Sequence, residues 1–284
     1  MSYRDFRRSF FLQRKFTGLL MLPRVHVVNS SQGSFLTFGN DVISNHLFTQ
    51  DNWENWLFAI TGEFTRGFDK PIVFDLGANL GAYTIPTALM LNEQNGHIYS
   101  FEPQKVVYYQ LCGNIFLNRL NNVTALNKGV GAANGILELP VPDYHKMYNV
   151  GGFSMIEQYR SNTGVEAAMS GEKDVVQIIK LDDVLFEQKT RFLKIDVEGL
   201  ELEVLKGAVG FLEHNNFPPF SFEAWNLPWF KEQREALMTF ILELGYTVEH
   251  IQFDDYLAHH PKNAAKVDFL RDQNDQLTRV VRVA

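Results

Sequence analysis

Residues 73–82, Val-Phe-Asp-Leu-Gly-Ala-Asn-Leu-Gly-Ala, constrain the fold more than any other stretch of the chain. An apolar, β-rich run ends in a carboxylate, Asp75, and passes into a glycine loop that opens a helix. An α/β fold uses that arrangement to bring a nucleoside-containing cofactor to the carboxyl end of a strand. A second apolar run, residues 97–101, delivers Glu102 about 20 residues beyond the loop, where such folds set an acidic side chain against a ribose.

Further apolar runs at residues 72–74, 123–126, 192–197, 220–222, 246–251 and 280–283 are mostly separated by segments of helical periodicity. Alternating strands and helices imply a parallel sheet covered on both faces. The clearest helix follows Gly199, with Leu202, Leu205, Ala208 and Leu212 on one stripe and Glu201 and Glu203 in the first turn, where the helix dipole favours acids. Pro86 lacks an amide hydrogen, so the helix after Gly81 either begins near Ile85 or kinks. We expect one core domain over residues 69–284, an N-terminal extension over 1–68, and an insertion over 132–180. In that insertion a strand at 135–139 and a returning strand at 175–179 bracket a polar stretch, 143–174, that reads as a flap beside the active site.

Bulk composition removes several classes of function. Lys and Arg number 26 against 33 Asp and Glu, a net charge of −7, which argues against affinity built on nucleic-acid phosphates. Residues 1–25 depart from this balance: Arg4, Arg7, Arg8, Arg14, Lys15 and Arg24 face only Asp5, with Tyr3, Phe6, Phe10 and Phe11 at roughly helical spacing. The segment reads as a surface helix packed on the domain, the other reading being weak peripheral membrane contact. No secretory signal or membrane-length apolar run is seen, and Cys112 is the sole cysteine, so no internal disulfide or cysteine-based zinc cluster can form. A cytoplasmic enzyme fits best, with Cys112 a small apolar packing residue.

The chemistry-bearing residues gather at strand ends: Asp75, Glu102, the pair Asp196 and Glu198, and Glu223. Ligands of open α/β sheets bind beyond the carboxyl ends of the strands, so these acids should converge on one crevice. The loop Gly77-Ala78-Asn79-Leu80-Gly81 lacks the spacing that cradles a pyrophosphate, and no Walker-type lysine follows. S-adenosylmethionine carries no phosphate, but it has an ammonium group and a ribose diol; Asp75 would serve the former and Glu102 the latter. In residues 192–198, period-two alternation puts Lys194, Asp196 and Glu198 on one face, with Leu193, Ile195 and Val197 on the other. Buried charges must pair, so Lys194 neutralises one acid while Asp196 faces the substrate. Trp225 and Trp229 are candidate walls for an acceptor, whereas His259 and His260, before Pro261, have no third ligand spaced near them and read as a turn.

These stretches resemble the FkbM-type methyltransferases, a branch of the class I S-adenosylmethionine-dependent enzymes. The resemblance rests on residues 73–84, Phe101-Glu-Pro103, Leu181-Asp-Asp183 and, above all, the segment 192–208, and it covers about residues 51–260. It implies a Rossmann-like, mostly parallel seven-stranded sheet with a final antiparallel strand, S-adenosylmethionine as donor, and O-methylation of a sugar, glycan or other small-molecule hydroxyl. On the matching positions, Asp75, Gly77, Ala78, Asn79, Gly81, Thr84 and Glu102 would hold the cofactor, and Gly129 and Val130 its adenine. Asp196 would orient or deprotonate the acceptor with Glu198 and Glu223 in support, and a divalent ion held by these acids would be magnesium or calcium. Two other classes stay open at this point: a non-catalytic S-adenosylmethionine- or nucleoside-binding subunit, and an NAD-dependent oxidoreductase.

Overall fold

A computed structural model describes residues 25–38, 41–144, 150–163, 168–184, 188–274 and 276–283. The basic, aromatic segment 1–24, with its surface-helix and membrane-contact readings, lies outside the described residues. A hairpin of β1 (Val25–Ser30) and β2 (Gly33–Phe38) is followed by helices α1 (Val42–Gln50) and α2 (Asn55–Thr65). Then come β3 (Ile72–Leu76), α3 (Thr84–Asn92), β4 (His97–Phe101), α4 (Lys105–Leu117) and β5 (Val123–Leu126). An excursion contains β6 (Lys128–Val130), β7 (Gly135–Pro142), α5 (Glu157–Thr163) and β8 (Met169–Ile179). The chain returns through β9 (Thr190–Ile195), α6 (Glu201–Lys206), α7 (Val209–His214), β10 (Phe220–Glu223), α8 (Lys231–Glu243), β11 (Thr247–Gln252) and β12 (Asp255–His259). It ends in the hairpin β13 (Val267–Arg271) and β14 (Leu277–Arg282).

The central sheet has the order β11-β12-β10-β9-β3-β4-β5. Strands β5, β4, β3, β9 and β10 run parallel, while β12 is antiparallel to both of its neighbours. This is the mostly parallel, seven-stranded Rossmann-like sheet with a late antiparallel strand. From β3 the chain winds outward to β4 on one side, and β9 enters on the other, so the strand order reverses there and a crevice opens at the carboxyl ends. Every residue of β3 is buried, as a central strand covered on both faces requires. One core, built on Phe74, Leu193, Phe220 and Phe222, packs under α6, α7 and α8; the other, built on Val73, Ile98, Phe192 and Leu257, packs under α2 and α3.

Several local expectations need correction. Residues 280–283 fall in β14, which pairs only with β13; the strand that completes the central sheet is β12, a short segment bordered by acids that carries no strong apolar signal. The helix after Gly199 is two helices broken at Gly207 and Ala208, where the chain passes so close to Gly131 that a Cβ on Gly207 would lie 2.1 Å from its carbonyl oxygen. Asp182 secures the break: its amide donates to the Gly207 carbonyl at 3.0 Å, and its Oδ1 caps the Phe211 amide at 2.8 Å. Of the two alternatives for the helix after Gly81 the first holds: α3 begins at Thr84, so Pro86 sits in its first turn, where its missing amide costs little. Strand β8 begins at Met169 rather than near 175, and the stretch read as a flap contains α5.

Candidate functional site

Two cavities open at the carboxyl ends of β3, β4, β9 and β10. The first is built by the loop after β3. The amides of Gly77 and Ala78 donate to the Phe101 carbonyl at 3.0 and 2.9 Å, which ties the loop to the end of β4. Gly77, at φ +84°, passes so close to β9 that a Cβ would lie 1.8 Å from the Asp196 carbonyl oxygen. Asn79 adopts φ +52°, and its amide donates to Glu102 Oε2 at 2.9 Å, while Glu102 Oε1 accepts the Gln104 amide at 2.8 Å. Each Glu102 oxygen thus keeps one acceptor position for a ligand. Burial raises this carboxyl to about 7, against the pull of the Gln104 and Asn79 amides. Gly129, Val130, Leu139 and Ile178 supply an apolar wall opposite.

Those residues fit an adenine nucleoside: an apolar slot for a planar base, and a carboxyl with two open positions for a diol. Of the expected cofactor residues, Gly77, Asn79, Glu102, Gly129 and Val130 line this cavity, whereas Ala78 lines the second one. Asp75, Gly81 and Thr84 line neither. Asp75 is fully buried beneath the loop, its Oδ2 accepting from Thr84 Oγ1 at 2.5 Å and its Oδ1 lying 3.7 Å from Lys194 Nζ. Asp75 and Thr84 therefore support the loop from below instead of standing against a ligand.

The second cavity, about 630 Å³, is bordered by α1, α2 and the ends of β9, β10 and β11. Six carboxyl groups line it: Glu54, Asp196, Glu198, Glu223, Asp254 and Asp255. Lys194 is set among them, with its Nζ 2.9 Å from Asp196 Oδ2. Burial alone would push this ammonium down, but Asp196, Asp75 and Glu54 together carry it up, so it stays charged. Strand β9 ends at Ile195, and Glu198 sits in the following turn at φ +55°, so the period-two alternation stops short of it; all three charged residues nevertheless reach this cavity. Glu201, in the first turn as expected, is buried; its Oε1 accepts the amides of Val197 and Gly199 at 3.1 and 3.2 Å and fixes that turn. Glu203 behaves as expected of an exposed acid, pairing with Lys206 at 2.7 Å.

Burial and mutual repulsion separate the roles of these acids. Glu54 is raised to about 7 and Asp255 to about 8, in both cases chiefly by desolvation. Glu223 is pushed well above the carboxylate range by burial and then by Asp196, Glu198, Glu201 and Asp255. Burial and these neighbours favour its protonated form, which fits holding an acceptor oxygen better than taking a proton. Its Oε2 accepts Trp225 Nε1 at 2.9 Å, and Trp225 stacks on Tyr159 with centroids 4.5 Å apart. Trp225 and Tyr159 line the cavity as an aromatic wall, while Trp229 packs behind them.

The cavities meet at Asn79, Asp196 and Glu198, which line both. Residues 150–155 lie across this junction. A Cβ on Gly151 would be 1.6 Å from Asn79 Nδ2, Gln104 Nε2 donates to the Val150 carbonyl at 3.2 Å, and Ser154 Oγ donates to the Glu198 carbonyl at 2.6 Å. Glu54 and Asp255 belong to the site but have no sequence signal beyond being acidic. His259 ends β12 and His260 opens the expected turn, its carbonyl accepting the Asn263 amide at 2.9 Å, but both rings are packed: His259 on Phe269 and His260 on Phe217, with centroids 4.3 Å apart in each pair. Among the described residues no three His, Cys, Asp or Glu side chains are grouped so as to hold a metal ion. Among the same residues no helix is long and apolar enough to cross a membrane.

Residues 75–248 match the family model described as the methyltransferase FkbM domain. Among curated proteins, Methyltransferase sdnD of Sordaria araneosa is 31% identical over 162 residues, which cover 49% of this chain and 60% of that protein. Methyltransferase 1 of Beauveria bassiana is 26% identical over 148 residues, covering 49% and 59%. The match thus spans about three fifths of the length of these curated relatives. A solved structure, the methyltransferase FkbM from Methylobacillus flagellatus KT, aligns with a TM-score of 0.43 and 18% identity over 69% of this chain and 47% of that one.

Proposed function

We propose, from the premise that this chain belongs to the FkbM methyltransferase family, that it transfers a methyl group from S-adenosylmethionine to a hydroxyl of a sugar, glycan or other polyhydroxylated small molecule. The observation that carries this reading is the shared border of the two cavities. Asn79, Asp196 and Glu198 line both, so a nucleoside held by Glu102 and an acceptor held among the carboxyl groups would meet at these residues.

When bound, the cofactor supplies an electrophilic methyl on a sulfonium. The protein orients the acceptor oxygen and receives its proton. Asp196 suits that role, because Lys194 holds its Oδ2 and its side chain is 37% exposed toward the junction. Glu223, whose surroundings favour the protonated form, would hold a neighbouring acceptor oxygen and fix the ring against Trp225. Alignment of this kind accounts for much of the rate in a displacement whose chemistry needs little else.

The test separates binding from turnover. Isotopically labelled S-adenosylmethionine and an extract of the source organism should give a labelled small molecule, and S-adenosylhomocysteine, not NAD, should raise the melting temperature. Asp196→Asn should keep S-adenosylhomocysteine binding within about twofold and lose at least about a hundredfold in methyl transfer, the span of general acid–base contributions. Label on protein only, or stabilisation by NAD alone, sinks the reading.

A further inference from the structure

The second cavity has a wall that the matched domain does not supply. The family match spans residues 75–248, yet Trp53, Glu54, Trp56 and Asp255 line the same cavity as Asp196 and Glu223. Glu54 occupies the position before α2 where an acid ordinarily accepts a bond from the first-turn amides, and its side chain caps nothing there. Its backbone is left-handed, φ +43°, a conformation that glutamate seldom adopts. Non-glycine residues held there mark places where the surrounding structure over-determines the chain.

That over-determination comes from the turn between β1 and β2. Gln32, only 5% exposed, donates through Nε2 to the Trp53 carbonyl at 2.8 Å and accepts the Trp53 amide on Oε1 at 2.6 Å. Beside it the Ser31 amide donates to Asp51 Oδ1 at 3.0 Å, and Ser31 Oγ to the Asp51 carbonyl at 2.8 Å. Asp51 is itself left-handed, φ +62°, so two strained residues bracket the loop and the same turn grips both ends. The outcome is a Glu54 carboxyl directed at the cavity, near enough to feel Lys194, Asp196 and Asp75.

A second observation points to a ligand. Ser221, 4% exposed, lies on the floor of this cavity, and its Oγ has no hydrogen-bond partner; Trp56 Nε1, on the same wall as Glu54, is likewise buried and unpaired. Polar atoms so placed are ordinarily satisfied by something. Carboxyl groups accept and, when protonated, donate, which matches the hydroxyls of a polyol. Lys194 is already committed to Asp75 and Asp196, and among the described residues no other Lys or Arg lines this cavity, so an anionic acceptor would face mainly acids there.

We propose that the β1–β2 turn and the loop it braces form the acceptor-specificity module: Glu54, with Asp255, hydrogen-bonds the hydroxyls of a non-anionic polyhydroxylated acceptor, and Glu54 together with Asp196 and Glu198 keeps carboxylated or phosphorylated ones out. This rests on the second cavity being the acceptor site. Glu54 is a specificity residue, and Gln32 is a positioning residue acting through it.

Methyl β-D-glucopyranoside and its 6-carboxylate, methyl β-D-glucuronide, differ only in a hydroxymethyl against a carboxylate and serve as probes, titrated by calorimetry into the full chain saturated with S-adenosylhomocysteine. The neutral probe should bind, and the anionic one at least tenfold more weakly. Glu54→Gln should bring that ratio within threefold, and Gln32→Ala should lower it without changing the S-adenosylhomocysteine Kd. Glu54→Gly, which relieves the left-handed backbone, should keep or raise Tm while weakening the neutral probe at least fivefold. Equal binding of the two probes, no binding of either, or a Glu54→Gly protein that binds the neutral probe as before overturns the proposal. Failure to bind S-adenosylhomocysteine at all would instead overturn the reading on which it rests.

Discussion

Gly77→Ala asks whether the cofactor loop and Asp196 move as one unit. Gly67 provides the control, because its backbone is nearly the same, φ +82° against +84°, with no atom within 4 Å of an added Cβ. Gly67→Ala therefore pays only the left-handed penalty, about 1–2 kcal/mol, less about 0.4–1 kcal/mol from a more restricted unfolded chain. Gly77→Ala carries both of these and a contact of 1.8 Å with the Asp196 carbonyl oxygen, where real Cβ atoms essentially never come under 3.0 Å. The ends of β3 and β9 must part by more than about 1 Å, which close packing resists. Their separation breaks the bond from the Asp196 amide to the Leu76 carbonyl, now 3.0 Å. A lost buried bond with its groups left unsatisfied costs about 1–3 kcal/mol, so with the packing strain the total should reach about 3–5 kcal/mol.

Urea denaturation followed by tryptophan fluorescence measures both variants. With a slope of about 3 kcal/mol per molar, Gly77→Ala should lower the midpoint by about 1–2 M and Gly67→Ala by less than about 0.5 M. Calorimetric titration should show S-adenosylhomocysteine binding weakened more than tenfold by Gly77→Ala only, because Gly77 and Asp196 line the same cavity. Equal midpoints for the two variants would mean that the loop yields freely and that loop and strand are not coupled.

Stability of the ligand-free protein should fall as pH rises. Glu54, Glu102 and Glu201 are raised from 4.5 to about 7 and Asp255 from 3.8 to about 8, so the folded state holds protons that the unfolded chain releases, and the stability present below about 4 is lost as pH passes 7 to 8. Melting temperatures across that range should decline, and Glu201→Gln should make the decline shallower; a flat profile in the wild type refutes the raised values. Lys194→Met leaves Asp75 buried and unpaired and should cost about 3–5 kcal/mol, part of which Asp75→Asn restores; a double-mutant cycle in urea with no coupling would show the pair to be idle. Glu102→Ala should weaken S-adenosylhomocysteine binding at least tenfold, matching about 1.5–3 kcal/mol for bonds to a charged group, and an unchanged Kd would remove Glu102 from the ribose.

Legible in the chain alone is whatever a strand end displays locally. Apolar runs stopping at Asp75, Glu102, Asp196 and Glu223 announce the crevice, because in a parallel sheet all such ends face one side. The burial of Asp75 is not legible, because nothing in residues 73–82 tells how far the loop folds back, and it is that fold, with Thr84 and Lys194 against the carboxyl, that encloses it. The helix stripe through Leu205, Ala208 and Leu212 stays in phase across Gly207, so periodicity is blind to a break held by Asp182 on another segment. Glu54 is illegible for the same reason: its direction is set by Gln32, a residue of a different element.

The segment 192–201 is informative because it satisfies two demands at once. Leu193 and Ile195 are fully buried in the main core, which fixes the strand against β3 and β10. On the opposite face Lys194, itself buried, joins Asp75 under the cofactor loop to Asp196 at the junction of the cavities, so one ammonium links the support of one site to the working carboxylate of the other. Glu201 then closes the turn by accepting the Val197 and Gly199 amides, which holds Glu198 left-handed at that same junction. A change at Lys194 or Glu201 would therefore disturb nucleoside binding and acceptor alignment together. A change at Glu54, reached only from the second cavity, should disturb acceptor alignment alone.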